Sequence, residues 1–114
     1  MHLPADAELL RIFVGENDKH EGRPLYEKIV EEARRHGMAG ATVLRGTLGF
    51  GAHSRIHTAK LLHISEDLPM VIEIVDQPER IAQFLPTLDS MMKEGLVTRE
   101  KIEVVVYRAG TPDA

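Results

Sequence analysis

The sequence contains no cysteine and no excess of basic residues. The absence of cysteine excludes disulfides, thiolate metal sites and thiol nucleophiles. The chain has 14 basic and 18 acidic side chains, so the long-range attraction that nucleic-acid binding normally needs is missing and we expect no nucleic-acid partner. No apolar run approaches the roughly 20 residues of a membrane span. The first six residues lack the basic and apolar parts of a secretory signal, which makes the cytoplasm the expected location.

What is present fits one small domain. A chain of 114 residues with 43% hydrophobic content can bury a core but is too short for two domains. We therefore expect a single domain over 1–114, with its core at about 8–108.

Hydrophobic periodicity and turn residues predict six elements in the order βαββαβ. They are a strand over 8–14, a helix from Pro24 to Gly37, strands over 41–50 and 70–75, a helix that starts at 76–79 with an apolar stripe of Ile81, Leu85, Leu88 and Met92, and a last strand over 101–107. Pro86 is expected to kink or shorten the second helix, and Gly95 to close that segment. Short right-handed crossovers fold this order into an α+β, ferredoxin-like domain, a four-stranded antiparallel sheet with both helices on one face.

The predicted sheet is apolar on both faces. The first strand carries Leu9 and Phe13 on one side and Leu10, Ile12 and Val14 on the other. The third strand repeats this pattern, with Glu73 as a lone carboxylate that we expect to pair with Arg11 or to lie at a subunit seam. Because two helices can cover only one face, we expect the second face to lie against other subunits in an obligate homo-oligomer.

The strand over 41–50 ends in three closely spaced glycines with arginines on either side. Backbone amides and positive charge at a strand end suit an anion such as a phosphate. In the predicted topology, the polar residues after the first strand and the segment 93–95 reach the same edge of the sheet. The residues predicted at this anion or nucleotide site are Arg45, Gly46, Gly49, Gly51, Arg55, Lys19 and His20, with Arg108 added by a second copy of the chain.

Three other interpretations stay open. The glycines can be turn or bulge residues without a ligand. His53 and His57 stand four residues apart, a spacing that binds a metal on a helix. An enzyme acting on a phosphorylated small molecule would use His20 or Glu16 as acid or base. The sequence has no serine in a nucleophile elbow and no closely spaced acid pair with assignable roles, so we expect no catalytic activity.

Three stretches resemble the PII-like family of small bacterial and archaeal proteins, classed for many years as a domain of unknown function. They are 15–26 (GENDKHEGRPLY), 40–51 (GATVLRGTLGFG), and 67–69 (DLP) with 73–76 (EIVD). The resemblance covers about 9–107. More distantly, the chain is similar to nitrogen-regulatory PII and CutA proteins, which are trimers of ferredoxin-like subunits. The resemblance therefore implies a PII-like homotrimer.

The same resemblance implies a signalling protein that binds an adenine nucleotide, AMP, ADP or ATP, in the clefts between subunits and requires no metal. The loop between the second and third strands would be the effector-contacting T-loop, with its base at Gly46, Gly49, Phe50 and Gly51. Its outer part, 52–60, has no tyrosine for uridylylation, and 93–95 would take the place of a second nucleotide-contacting loop. The implied partner is a membrane transporter such as a fluoride exporter. The alternative within this resemblance is a CutA-like trimer that binds a divalent metal.

Overall fold

The computed structural model describes residues 5–50 and 67–110. Its elements in chain order are β1 (Asp6–Gly15), β2 (Lys19–His20), β3 (Arg23–Pro24), α1 (Leu25–Arg35), β4 (Ala41–Arg45), β5 (Pro69–Asp76), α2 (Pro78–Met91) and β6 (Leu96–Glu103). Strands β4, β5, β1 and β6 form one antiparallel sheet in that order, and β2 pairs with β3 in a separate hairpin. The predicted α+β, ferredoxin-like fold is confirmed. Within the described residues, no helix has the length and apolar character needed to cross a bilayer.

Strand β1 lies at the centre of the sheet, between β5 and β6. Residues 8–15 pair with β5 and residues 6–13 pair with β6. Alternate side chains of a strand point to opposite faces, and Leu10, Ile12 and Val14 are the ones buried under the helices. Their partners in the same layer of β5 are Met70, Ile72 and Ile74. The core is thus a helix-facing layer built from the two most apolar strands.

Helix α1 packs on this layer through the stripe that the sequence predicts. Leu25, Ile29 and Ala33 are all buried, at four-residue spacing. The predicted glycine end is also present: Gly37 has φ +68°, its N–H donates to the Arg34 carbonyl, and the Met38 N–H donates to the Ala33 carbonyl. This is the hydrogen-bond pattern of a Schellman motif, which satisfies the last carbonyls of the helix.

Helix α2 buries two of the four residues of the predicted stripe, Ile81 and Leu88, and replaces the other two by their neighbours. Its buried side chains are Ile81, Phe84, Leu88 and Met91. Leu85 and Met92, which the sequence analysis placed in the stripe, are only partly buried at the margin of the core. The sequence has two consecutive apolar residues at 84–85 and again at 91–92. The 3.6-residue period of the helix turns the first residue of each pair toward the core. The helix continues past Pro86 to Met91, so Pro86 does not shorten it.

The last strand starts and ends earlier than predicted, at Leu96–Glu103 rather than 101–107. The valine-rich segment that follows, 104–107, lies outside the sheet. Its Val104 N–H donates to the Ala5 carbonyl at 2.7 Å. The Tyr107 hydroxyl donates at 2.8 Å to the carbonyl of Ala39, which precedes β4, the edge strand opposite β6. The prediction was wrong because β6 is an edge strand whose polar, exposed residues resemble a loop, whereas 104–107 has the composition of a strand.

Strand β4 is shorter than predicted, Ala41–Arg45 rather than 41–50. One further ladder-like bond follows it, from the Gly46 N–H to the Pro69 carbonyl (2.7 Å). Beyond this bond the residues up to Phe50 are exposed and not part of the sheet.

The sheet face opposite the helices, called here the open face, is apolar at both ends and charged in the middle. It comprises Leu9, Arg11 and Phe13 of β1, Val71, Glu73 and Val75 of β5, and Thr42 and Leu44 of β4. The expected pairing of Glu73 is confirmed: Arg11 Nε donates to Glu73 Oε2 at 2.9 Å, and a second carboxylate, Glu100, lies 3.4 Å from Arg11. The second apolar face that the sequence predicts therefore exists.

A buried carboxylate joins the two helices at the end of the sheet where β5 ends. Asp76 is fully buried and accepts hydrogen bonds from the backbone N–H groups of Ala39 (2.9 Å) and Gln77 (2.7 Å) and from Arg80 Nε (3.3 Å). Arg80 in turn donates to the carbonyls of His36 (2.9 Å) and Gly37 (2.6 Å). This network fixes the chain between α1 and β4 against the start of α2.

Candidate functional site

The ends of four strands meet at one edge of the sheet, called here the glycine edge: β1 and β4 end there, and β5 and β6 begin there. The Glu16 N–H donates to the Leu68 carbonyl (2.8 Å), which ties the turn after β1 to the residue before β5. Gly95, with φ +127°, packs so close that a Cβ would lie 2.7 Å from the Phe13 carbonyl oxygen. The predicted convergence of the three segments after β1, after β4 and before β6 is present.

Arg45, the last residue of β4, is a cation at this edge and already has an acidic partner. Its guanidinium forms an ion pair with the Glu16 carboxylate across the start of β5. The Glu16 side chain is 19% exposed, whereas that of Arg45 is 55% exposed. Sequence reasoning placed both residues at this edge but missed the pair, because β1 and β4 are not neighbouring strands.

The turn after β1 is closed by carboxylates. The Gly15 N–H donates to Asp18 Oδ2 (2.8 Å), and the Asn17 N–H donates to Asp67 Oδ1 (3.1 Å). These two amides, like that of Gly46, therefore have acceptors within the chain. A ligand anion at this edge would depend on side-chain charge more than on these three backbone groups.

Gly46 and Gly49 have a packing role. A Cβ on Gly46 would lie 2.6 Å from the Pro69 ring, so a side chain there would force the ring or the backbone to move. A Cβ on Gly49 would lie 3.0 Å from the same ring, a tight contact. The segment therefore packs closely against the start of β5, which agrees with the interpretation of the glycines as turn residues. Its apolar side chains face outward: Leu48 is 69% exposed and Phe50 is 74% exposed. An exposed aromatic ring close in sequence to a cation is the combination that a nucleotide base and phosphate use.

Lys19 and His20 lie in a hairpin that the sequence analysis treated as a loop. Glu21 and Gly22 both have positive φ, +53° and +78°, the pattern of a type I′ turn between β2 and β3. Lys19 is exposed, and His20 Nε2 lies 3.4 Å from the Glu21 carboxylate. The sequence feature that could have predicted this hairpin is Gly22, which stands among polar residues at the second of the two central positions of the turn. Lys19 and His20 directly follow the turn that contains Glu16.

Arg23, at the end of the hairpin, forms ion pairs with helix α1. It pairs with Glu31 at 2.9 Å and with Glu27 at 3.5 Å. The hydrogen bond and charge of Glu31 raise the pKa of Arg23, and the hydrogen bond from Arg23 lowers the pKa of Glu31. This pair holds the hairpin against the helix.

Arg108 lies at the opposite end of the sheet. It follows Tyr107, which is bonded to Ala39 just before β4 starts, whereas Arg45 is the last residue of β4. A five-residue strand spans roughly 13 Å, so one chain does not bring these two arginines together. A groove of about 440 Å³ opens at this end between the open face and segment 104–107, with Leu9, Thr42, Glu73, Val75 and Tyr107 among its lining residues.

Part of the predicted site lies outside the described residues: Gly51, Arg55, the loop 52–60, and the candidate metal ligands His53 and His57. Among residues 5–50 and 67–110, no group of three or more histidine, aspartate or glutamate side chains is arranged to hold a metal ion. Arg45, Gly46, Gly49, Phe50, Lys19 and His20 are the predicted site residues that the structure places in segments adjoining the glycine edge.

Comparison with known proteins places residues 7–104 in a match to the family model DUF190, described as "Uncharacterized ACR, COG1993". A UPF0166 protein of Aquifex aeolicus (strain VF5) is 40% identical over 98 residues, which cover 86% of this chain and 92% of the relative. The UPF0166 protein MJ1524 of Methanocaldococcus jannaschii is 37% identical over 92 residues, 80% of this chain and 84% of the relative. These similarities span the sheet, both helices and the glycine edge.

Proposed function

The chain belongs to the DUF190 family, and we propose that it is a PII-like signalling protein that binds an adenine nucleotide at the glycine edge. The observation that carries this proposal is the position of Arg45. It is a half-exposed cation at the end of β4, next to the exposed segment that contains Leu48 and Phe50. In this arrangement Arg45 binds the phosphate and the apolar segment receives the base.

The proposed site is completed by a second subunit. The open face carries Leu9, Phe13, Val71 and Val75, and no helix of residues 5–50 and 67–110 covers it. Burying such a face against another copy is the common way to remove it from water. A neighbouring copy would also bring its Arg108 end toward the glycine edge, which one chain does not do. The resemblance to PII proteins favours a homotrimer with three such clefts.

The proposed signal passes through the connection between β4 and β5. Both of its ends are held at the glycine edge: the Gly46 N–H donates to the Pro69 carbonyl, and the Glu16 N–H donates to the Leu68 carbonyl. A phosphate on Arg45 therefore acts on residues that anchor this connection. The nucleotide can shift the connection between two states only by the difference in its affinity for them, a few kcal/mol at most. The partner implied by the resemblance is a membrane transporter such as a fluoride exporter.

We propose binding rather than catalysis at this site. The carboxylate that an enzyme would use as acid or base, Glu16, is engaged by Arg45. His20 lies against the Glu21 carboxylate rather than in a closed pocket.

Thermal unfolding of the purified protein with AMP, ADP, ATP and divalent metals tests the proposal. A nucleotide at about 100 times its Kd stabilises the folded protein by roughly 2.7 kcal/mol, and Arg45→Ala is expected to abolish this shift. The matched control is Arg99→Ala, which removes another surface ion pair, with Glu8, away from the glycine edge. A shift with metal alone, or a nucleotide shift that survives Arg45→Ala, contradicts the proposal.

A further inference from the structure

We infer that Glu16 is an internal competitor for the ligand: its carboxylate occupies Arg45 when the site is empty, and a ligand anion must displace it. This inference rests on the proposed function and adds to it how the affinity of the site is set. The ion pair joins the turn after β1 to the last residue of β4, and Arg45 has Glu16 as its acidic partner among the described residues.

The geometry favours displacement over a fixed structural pair. Arg45 is the more exposed partner, so its guanidinium can turn from Glu16 toward a ligand without leaving water. Glu16 is held in place independently, because its backbone N–H donates to Leu68 and the adjacent turn is closed by Asp18 and Asp67. Loss of the ion pair therefore leaves the turn in place.

The competition has a direct cost in affinity. The Arg45 side chain is half exposed, and ion pairs in such positions contribute little because water and salt screen them. Removal of the Glu16 charge is therefore expected to raise the affinity for a phosphate-bearing ligand by roughly two- to fivefold. Adenosine, which has no phosphate to place on Arg45, gains nothing from the same substitution.

Calorimetric titration of ADP and adenosine into the wild type, Glu16→Gln and Glu16→Ala tests the inference. The matched control is Glu79→Gln, which removes the same charge from the exposed first turn of α2 at the other end of the sheet. Tighter ADP binding in both Glu16 variants, with adenosine binding and Glu79→Gln unchanged, is the expected result.

Three other outcomes overturn the inference in different ways. Equal ADP affinity in the wild type and in both Glu16 variants overturns the competition but leaves the nucleotide site standing. Absence of ADP binding in the wild type and all variants overturns the proposed function, and the competition with it. Weaker ADP binding in the Glu16 variants, with unchanged thermal unfolding of the ligand-free protein, shows that Glu16 supports the ligand rather than opposing it.

Discussion

Replacement of Asp76 by alanine is expected to cost the protein about 3 kcal/mol of its free energy of unfolding. Asp76 is fully buried, and its carboxylate accepts hydrogen bonds from the Ala39 N–H, the Gln77 N–H and Arg80 Nε. A part-buried donor left without its acceptor costs about 1–3 kcal/mol, and removal of one member of a buried ion pair costs about 3–5 kcal/mol. Arg80 is one-third exposed and keeps its hydrogen bonds to two carbonyls, so the expected cost lies at the lower end of the range for a buried ion pair.

Urea unfolding of the two proteins at equal subunit concentration measures this difference, because any self-association makes the apparent stability depend on concentration. Asp89→Ala is the matched control: Asp89 is an exposed carboxylate on α2, and its removal should change the free energy of unfolding by less than about 0.5 kcal/mol. If Asp76→Ala and Asp89→Ala unfold alike, the network does not join the helices as described here.

Three further predictions test the packing and the surface charges. Phe84→Ala should lower the free energy of unfolding by about 3–5 kcal/mol and Leu85→Ala by much less, because only Phe84 is fully buried; urea unfolding compares them. Gly95→Ala should cost about 1–3 kcal/mol in the same assay, because φ is +127° and the new Cβ meets the backbone. The hydrogen bond from Arg23 lowers the pKa of Glu31. The stabilisation that this ion pair gives the folded protein is therefore present above the ordinary glutamate pKa and is lost as pH falls through the lowered pKa. Glu31→Gln should remove that part of the pH dependence, and an NMR titration of Glu31 that shows no lowered pKa would refute it.

The sequence predicted the elements whose side chains alternate against a core. Strand β1, strand β5 and helix α1 carry strong periodic apolar patterns, and the structure confirms all three. The pattern was insufficient where packing decides between neighbours, as at Phe84 and Leu85. It was misleading at β6, where an exposed edge strand has few apolar residues and the valine-rich segment 104–107 lies outside the sheet.

The sequence predicted which chain segments meet at the glycine edge, but not the contacts between them. The topology alone brings the ends of β1 and β4 to one edge, so Glu16, Arg45 and the glycines could be placed there from the sequence. The ion pair between Glu16 and Arg45 and the packing of Gly46 on Pro69 depend on side-chain directions across an intervening strand. No local sequence signal encodes those directions.

The proposed nucleotide site lies between subunits and takes Arg45 from one copy and Arg108 from another. Calorimetric titration of ADP into oligomers co-expressed from Arg45→Ala and Arg108→Ala chains tests it most directly. Each variant alone should fail to bind, and random mixing should restore about one quarter of the wild-type sites, since only clefts with both intact residues are complete. If the mixed oligomers bind no more ADP than the separate variants, or if Arg108→Ala alone binds like the wild type, the two-subunit site is contradicted.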